Sequence, residues 1–286
     1  MSSGRRPSVP RGELEPLLRR VIELTADPKI DTEEVHYRRA VGAGNADDLV
    51  RLGNVLLDKG QSQEAATWYR LAAEQGSVEG MYNLANGLHT AGHEDEAAQW
   101  YRRAAEKGHA PSMANLGALL YSKQGPTGEV ERWLRRAVDA GDAKAHMLLG
   151  LLAFDAGRIQ EAEPMLRVAA DEDFVGAIYH LALIMAATGR SAEAERWYHR
   201  AADKGFPEAM NNLGVIHKTS GRLKEAEQWF RRAAEHGTIE AIYNLGDLLE
   251  RMGRTTEAEQ WFHRGAAQGS SDSKARLARL QVRGDR

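Results

Sequence analysis

Asparagine recurs at Asn83, Asn115, Asn212 and Asn244, and these are the side chains whose type and spacing could do recognition chemistry. A primary amide carries two N–H donors and a carbonyl acceptor, so it can satisfy a peptide group in both directions without reading the attached side chain. A regularly spaced column of amides therefore matches a regular backbone. Arg51, Leu148 and His180 occupy the same column in other parts of the chain and interrupt it. Tyr82, Tyr179 and Tyr243 stand one residue earlier, and Asn54, Asn86 and Asp247 one helical turn later, as rim and anchor contacts. Between the two asparagine clusters, Met147, Leu148, Leu151 and Phe154 supply an apolar stretch suited to one hydrophobic ligand side chain.

Other chemistries have weaker support. The chain has no cysteine, which excludes disulfides, thiolate metal sites and cysteine nucleophiles together and fits a reducing compartment. Of the ten histidines, His89 and His93 form a close pair but straddle Gly92, which breaks the helical register needed to aim both rings at one ion. His146 and His217 fall in apolar columns and read as packing residues. Neither a HExxH cluster nor a GxSxG elbow nor a GxxxxGK[ST] loop is present, so neither a metal, a cofactor nor catalysis is expected. The arginines Arg102, Arg103, Arg135, Arg136, Arg167, Arg200, Arg231 and Arg232 could line a phosphate-binding ridge. However, Glu131, Glu163 and Glu227 lie four residues before Arg135, Arg167 and Arg231, the favourable order for pairing on a helix surface. With a formal net charge of −3 and both signs interspersed, neither nucleic acid nor an anionic membrane is an expected partner.

The elements that must position these residues follow from a repeat. Trp197, Trp229 and Trp261 stand 32 residues apart, Met165 holds the preceding slot, and Trp133, Trp100 and Trp68 continue the series with one inserted residue. In each unit two apolar stripes with i, i+3, i+4 spacing, such as Met81, Leu84, Ala85, Leu88 and then Ala97, Trp100, Tyr101, Ala104, are separated by a turn glycine. That glycine recurs as Gly60, Gly92, Gly125, Gly157, Gly189, Gly221 and Gly253, and a second stop recurs at Gly76, Gly108, Gly141, Gly205, Gly237 and Gly269, with Asp173 as the exception. Two stops per period predict a helical hairpin. A hairpin cannot bury its stripes alone, so successive hairpins must stack, with the tryptophans in the core between them.

The set Leu213-Gly214, Gly221, Glu225-Ala226, Trp229-Phe230-Arg231 and Ala233-Ala234 resembles the tetratricopeptide repeat, and the trailing Ala-Ala-Glu-X-Gly-X is similar to its relative, the Sel-one-like repeat. The resemblance covers residues 31 to 282 and implies an all-α fold, a right-handed α-solenoid of stacked antiparallel helix pairs. It also implies that the first helix of each pair lines a concave groove, where the O-linked N-acetylglucosamine transferase repeats carry an asparagine ladder that grips a peptide main chain. In that setting Asn83, Asn115, His180, Asn212 and Asn244 are the expected partner-binding column. The same amides could instead bond neighbouring helices within the array.

The expected organisation is a disordered tail over 1–12 and a single solenoid over 13–286. Within it lie a degenerate first unit at 13–45, seven units over 46–270 and a capping helix at 271–282. Pro164 within a second helix and the insertion around 123–128 mark the place where the repeat departs most. Residues 1 to 10 lack an apolar export signal, and no stretch approaches the ~18 apolar residues of a membrane span, so a cytoplasmic location is expected. The functional expectation is a non-enzymatic interaction scaffold that binds a protein segment or helix in its groove. A self-assembling structural protein that pairs as a homodimer through Leu14 to Val21 and Ala275 to Leu280 is the alternative.

Overall fold

The computed structural model describes residues 45–125 and 127–284. The expected tail, the degenerate first unit and the apolar face from Leu14 to Val21 lie outside them. The described residues form fifteen helices and no strand, the all-α architecture of a solenoid. They are α1 (Ala46–Asp58), α2 (Ser62–Glu74), α3 (Val78–Thr90), α4 (Glu94–Glu106), α5 (Ala110–Ser122), α6 (Thr127–Asp139), α7 (Ala143–Asp155) and α8 (Ile159–Asp171). There follow α9 (Val175–Ala187), α10 (Ser191–Asp203), α11 (Pro207–Thr219), α12 (Leu223–Glu235), α13 (Ile239–Arg251), α14 (Thr255–Ala267) and α15 (Ser271–Gly284). The chain divides into two compact units, one ending at Leu148 and one beginning at Leu149.

Consecutive helices pack on one another from α1 to α6 and from α8 to α15, and first helices also touch across a period, α1 on α3 and α11 on α13. The stops lie where two glycines per period place them. Gly92 and Gly108 take φ of 82° and 91°, the left-handed conformation in which the chain can leave a helix and a Cβ would be strained. One expected stop is displaced. Gln124, with φ 53°, turns the chain in place of Gly125: it stands two residues past Ser122, as Gly92 stands two past Thr90, so the inserted residue falls after the turn and leaves Gly125 beyond it. Asp173 takes φ 64° where its neighbours carry glycine. Helix α8 runs unbroken through Pro164, whose exposed position lets water reach the carbonyl that loses its bond.

The core comes from the second residue of each Trp-aromatic pair. Tyr69, Tyr101, Tyr198, Phe230 and Phe262 are buried, as are Leu134 and Leu166 in the same slot. The expectation that every tryptophan is core needs correction. Trp68, Trp100 and Trp133 are buried, but Trp197, Trp229 and Trp261 are half-buried. In the second unit the indole lies at the edge of the helix pair, covered on one side by an arginine. Arg232 stands 4.5 Å above Trp229, Arg264 5.1 Å above Trp261 and Arg200 5.4 Å above Trp197. Each arginine lies three residues after its ring, one turn on along the same face.

Glycines inside the helices fall into two kinds. A Cβ on Gly80 would meet the Ala72 Cβ at 2.7 Å and the Ala73 backbone nitrogen at 2.9 Å, so α3 crosses α2 there without room for a side chain. Nothing lies within 4 Å of a Cβ on Gly87 in the same helix. Gly87→Ala is therefore expected to raise the unfolding free energy by about 0.5–1 kcal/mol, through reduced freedom of the unfolded chain. A urea titration that gave a lower midpoint for Gly87→Ala would contradict the open environment.

Ion pairs tie the second helices together. The expected i,i+4 pairs form at Glu131–Arg135, 2.9 Å, Glu163–Arg167, 3.0 Å, and Glu227–Arg231, 2.6 Å. Glu163 and Glu227 also bind an arginine from the next period, Arg190 at 2.6 Å and Arg254 at 2.7 Å. Hydrogen bonds from Arg190 and then Arg167 hold the Glu163 carboxyl down to about 2 from 4.5. A depressed carboxylate stabilises the fold above its unfolded value and loses that contribution as pH falls through the folded one. Wild-type stability is thus expected to drop between pH 4.5 and about 2 more steeply than that of Glu163→Gln. Parallel thermal melts across that range check it, and identical pH slopes would remove the assignment.

Candidate functional site

The first-helix faces carry the amide column. In the first unit, the Tyr69 hydroxyl donates to Asn54 Oδ1 at 2.7 Å, and Asn83 Nδ2 donates to the same oxygen at 3.4 Å. One period later the Tyr101 hydroxyl donates to Asn86 Oδ1 at 2.6 Å, joined by Asn115 Nδ2 at 3.2 Å. A carbonyl oxygen has two lone pairs, so each accepting amide links its own second helix to the next first helix. Burial pushes the Tyr69 and Tyr101 hydroxyls up to about 12, which keeps both protonated as donors at neutral pH. Lys144 Nζ closes the series on Asn115 Oδ1 at 2.8 Å. Tyr82 lies half-buried with its ring edge-on to His109, centroids 4.9 Å apart.

In the second unit the same column finds different acceptors. Asn244 Nδ2 donates to Asn211 Oδ1 at 2.9 Å, and Asn212 Nδ2 reaches the Tyr179 hydroxyl at 3.5 Å. The change follows from composition, since Leu151, Leu183 and Val215 hold the slot of Asn54 and Asn86 and cannot accept. Tyr179 packs on Phe206, Tyr198 and His180, with centroids 4.8, 6.1 and 5.4 Å away. His180 turns Nδ1 back to donate to the Gly176 carbonyl at 2.7 Å and takes the Phe154 ring at 5.3 Å. Tyr243 lies 5.9 Å from Phe262. Asp247 is held by Lys218 at 2.8 Å and Arg251 at 3.2 Å.

Asn83, Asn115, His180, Asn212, Asn244, Asn86, Tyr82, Tyr179, Tyr243 and Phe154 are all half-buried, and Asn54 is exposed. Met147 and Leu148 are half-buried at the end of the first unit, and Leu151 at the start of the second. Asn211 went unrecognised in the sequence; its signal was the Asn211-Asn212 doublet, where Asn83, Asn115 and Asn244 each stand alone. A second device also went unread. Arg136, Arg200 and Arg264 each donate to a carbonyl near the end of the preceding second helix, Ala105, Ala170 and Ala234, at 3.4, 2.7 and 3.3 Å. Each of these carbonyls also accepts a backbone N–H from just past its helix, Gly108, Asp173 or Gly237, at 3.0 Å, so the guanidinium adds a second bond at the helix end while it covers the indole.

A tetratricopeptide repeat model matches residues 50–111, 128–174 and 179–238, and a second one matches residues 241–273. The chain belongs to the tetratricopeptide repeat family. Among solved structures this tetratricopeptide repeat chain is similar to c5321, a protective antigen present in uropathogenic Escherichia coli strains that displays an SLR fold. The two are 23% identical with a TM-score of 0.75, over 94% of this chain and 64% of that one, so this chain spans under two thirds of that relative's length. It is also similar to the Sel1 repeat protein from Oxalobacter formigenes, 25% identical with a TM-score of 0.64, over 78% of this chain and all of that one. A tetratricopeptide repeat protein from Parabacteroides merdae is 16% identical with a TM-score of 0.54 over 82% of this chain. No curated protein matches the sequence. Such repeats generally serve as protein–protein interaction scaffolds. Among the described residues no helix is long and apolar enough to cross a membrane.

Proposed function

We propose that this tetratricopeptide repeat chain is a non-enzymatic adaptor that binds an extended segment or helix of a partner protein along its first-helix faces. Supporting this is the half-buried amide and tyrosine column in each unit, Asn83, Asn115 and Tyr82 in the first and Asn212, Asn244, Tyr179 and Tyr243 in the second. Each asparagine gives one N–H to the preceding helix pair. An amide has a second N–H to offer. The bond to the preceding pair fixes the amide's orientation before a ligand arrives, which lowers the ordering cost of binding. Donors at a repeated interval on a rigid face suit the main chain of a partner, and the tyrosine rings beside them suit its apolar side chains.

The test replaces Asn83, Asn115, Asn212 and Asn244 together with alanine. A partner recovered from native extract with the wild-type chain should bind the fourfold variant at least ~10-fold more weakly, equivalent to about 1.4 kcal/mol. Circular dichroism of the variant should retain the wild-type helical signal. Equal affinity of both proteins would refute the assignment of the first-helix face.

A further inference from the structure

His217, in α11, is only 6% exposed, yet neither ring nitrogen has a hydrogen-bond partner. A buried polar group with no partner is destabilising, so this ring needs an explanation. Its Nε2 points at the Glu195 carboxylate, 3.9 Å away, and its ring centroid is 6.4 Å from that of His199. Glu195 and His199 lie four residues apart on α10, on one face of the helix. One ligand atom from each of the three residues lies within 4.8 Å of the others. We propose that Glu195, His199 and His217 bind a divalent transition-metal ion of the zinc class, which links α10 to α11.

The donor set decides the class of ion. Two imidazole nitrogens and one carboxylate oxygen suit zinc and its neighbours, whereas calcium and magnesium take oxygen ligands. Both ring nitrogens of His217 are without a hydrogen-bond partner, so one is open to the ion in the neutral form that metal ligation requires. A tetrahedral ion with bonds of about 2.0–2.1 Å sets its ligand atoms roughly 3.3 Å apart, so the three groups must draw together. Glu195 and His199 are half-buried, not enclosed. Three protein ligands leave the fourth position to water. The competing cation is Arg222, whose Nη2 lies 3.1 Å from Glu195 Oε1. Glu225 also acts electrostatically on His217 and favours a positive charge there. This site is separate from the amide column, so the two proposals stand or fall independently.

The experiment is calorimetric titration of the full, tag-free chain with zinc chloride. One equivalent should bind with low-micromolar or tighter affinity and raise the melting temperature. His199→Ala and Glu195→Gln should each weaken binding at least ~10-fold and abolish that rise. His217→Leu fills the buried position without an orphaned nitrogen and should also fail to bind. If that variant does not fold, His199→Ala carries the test. Arg222→Gln should tighten binding by removing the competing charge. Trp229 lies 5.3 Å from His199, so cobalt should quench wild-type fluorescence more than that of Trp229→Phe. No binding at a hundredfold excess of zinc, or wild-type affinity in His199→Ala, would overturn the assignment.

Discussion

Phe230→Ala is expected to lower the unfolding free energy by about 3–5 kcal/mol, while the neighbouring Trp229→Ala costs about 2 kcal/mol or less. The order inverts what side-chain size alone would give. Phe230 is wholly buried between α11 and α12, so its removal leaves a cavity that two packed helices cannot collapse around. Trp229 is half-buried, between the His199 ring 5.3 Å away and the Arg232 guanidinium 4.5 Å away, a group that can return to water. In a repeat array the loss falls first on the damaged pair and its neighbours. Hydrogen exchange should therefore accelerate in α11 and α12 before it does in α14. Greater destabilisation by Trp229→Ala than by Phe230→Ala would show that the indole, not the phenyl ring, anchors the pair.

Gly214→Ala should destabilise the second unit by about 1–3 kcal/mol. A Cβ at residue 214 would stand 2.5 Å from both Cδ1 and Cε1 of Phe230. That ring has no exposed surface into which it could move, so the helices themselves must separate. The same small-against-large contact recurs at Gly53 with Tyr69, Gly117 with Leu134, Gly150 with Leu166 and Gly246 with Phe262. It is a packing rule of the repeat. Gly214→Ala combined with Phe230→Ala should cost clearly less than the two separate losses added together, since the new methyl then enters the space left by the ring. Additive losses in a double-mutant cycle would mean that the two residues do not share one contact.

The helices were legible because each is set by its own residues. Apolar spacing at i, i+3 and i+4 with two stops per period determined the helix pairs, and the Glu-to-Arg spacing of four residues placed both charges on one turn. Gln124 shows the limit of such reading. The inserted residue was visible beforehand, but which position would take the left-handed turn depended on how the lengthened connection closed. The candidate site was legible as a column of residue types. Its bonding was not, because Asn83 meets Asn54, and Asn244 meets Asn211, across 29 and 33 residues.

By itself, therefore, the sequence determined the period, the helix pairs, the family and the face on which the amides lie. The helix pairs and the amide face follow from the fixed rise and turn of a single α-helix, the period and the family from residue columns that recur along the chain. Only the tertiary structure decided which amide oxygen serves two donors, which tryptophans stay half-buried, and that His217 of one helix faces Glu195 and His199 of another. Those outcomes depend on the offset between stacked helices, and that offset is set by how side chains such as Phe230 fit against glycines such as Gly214.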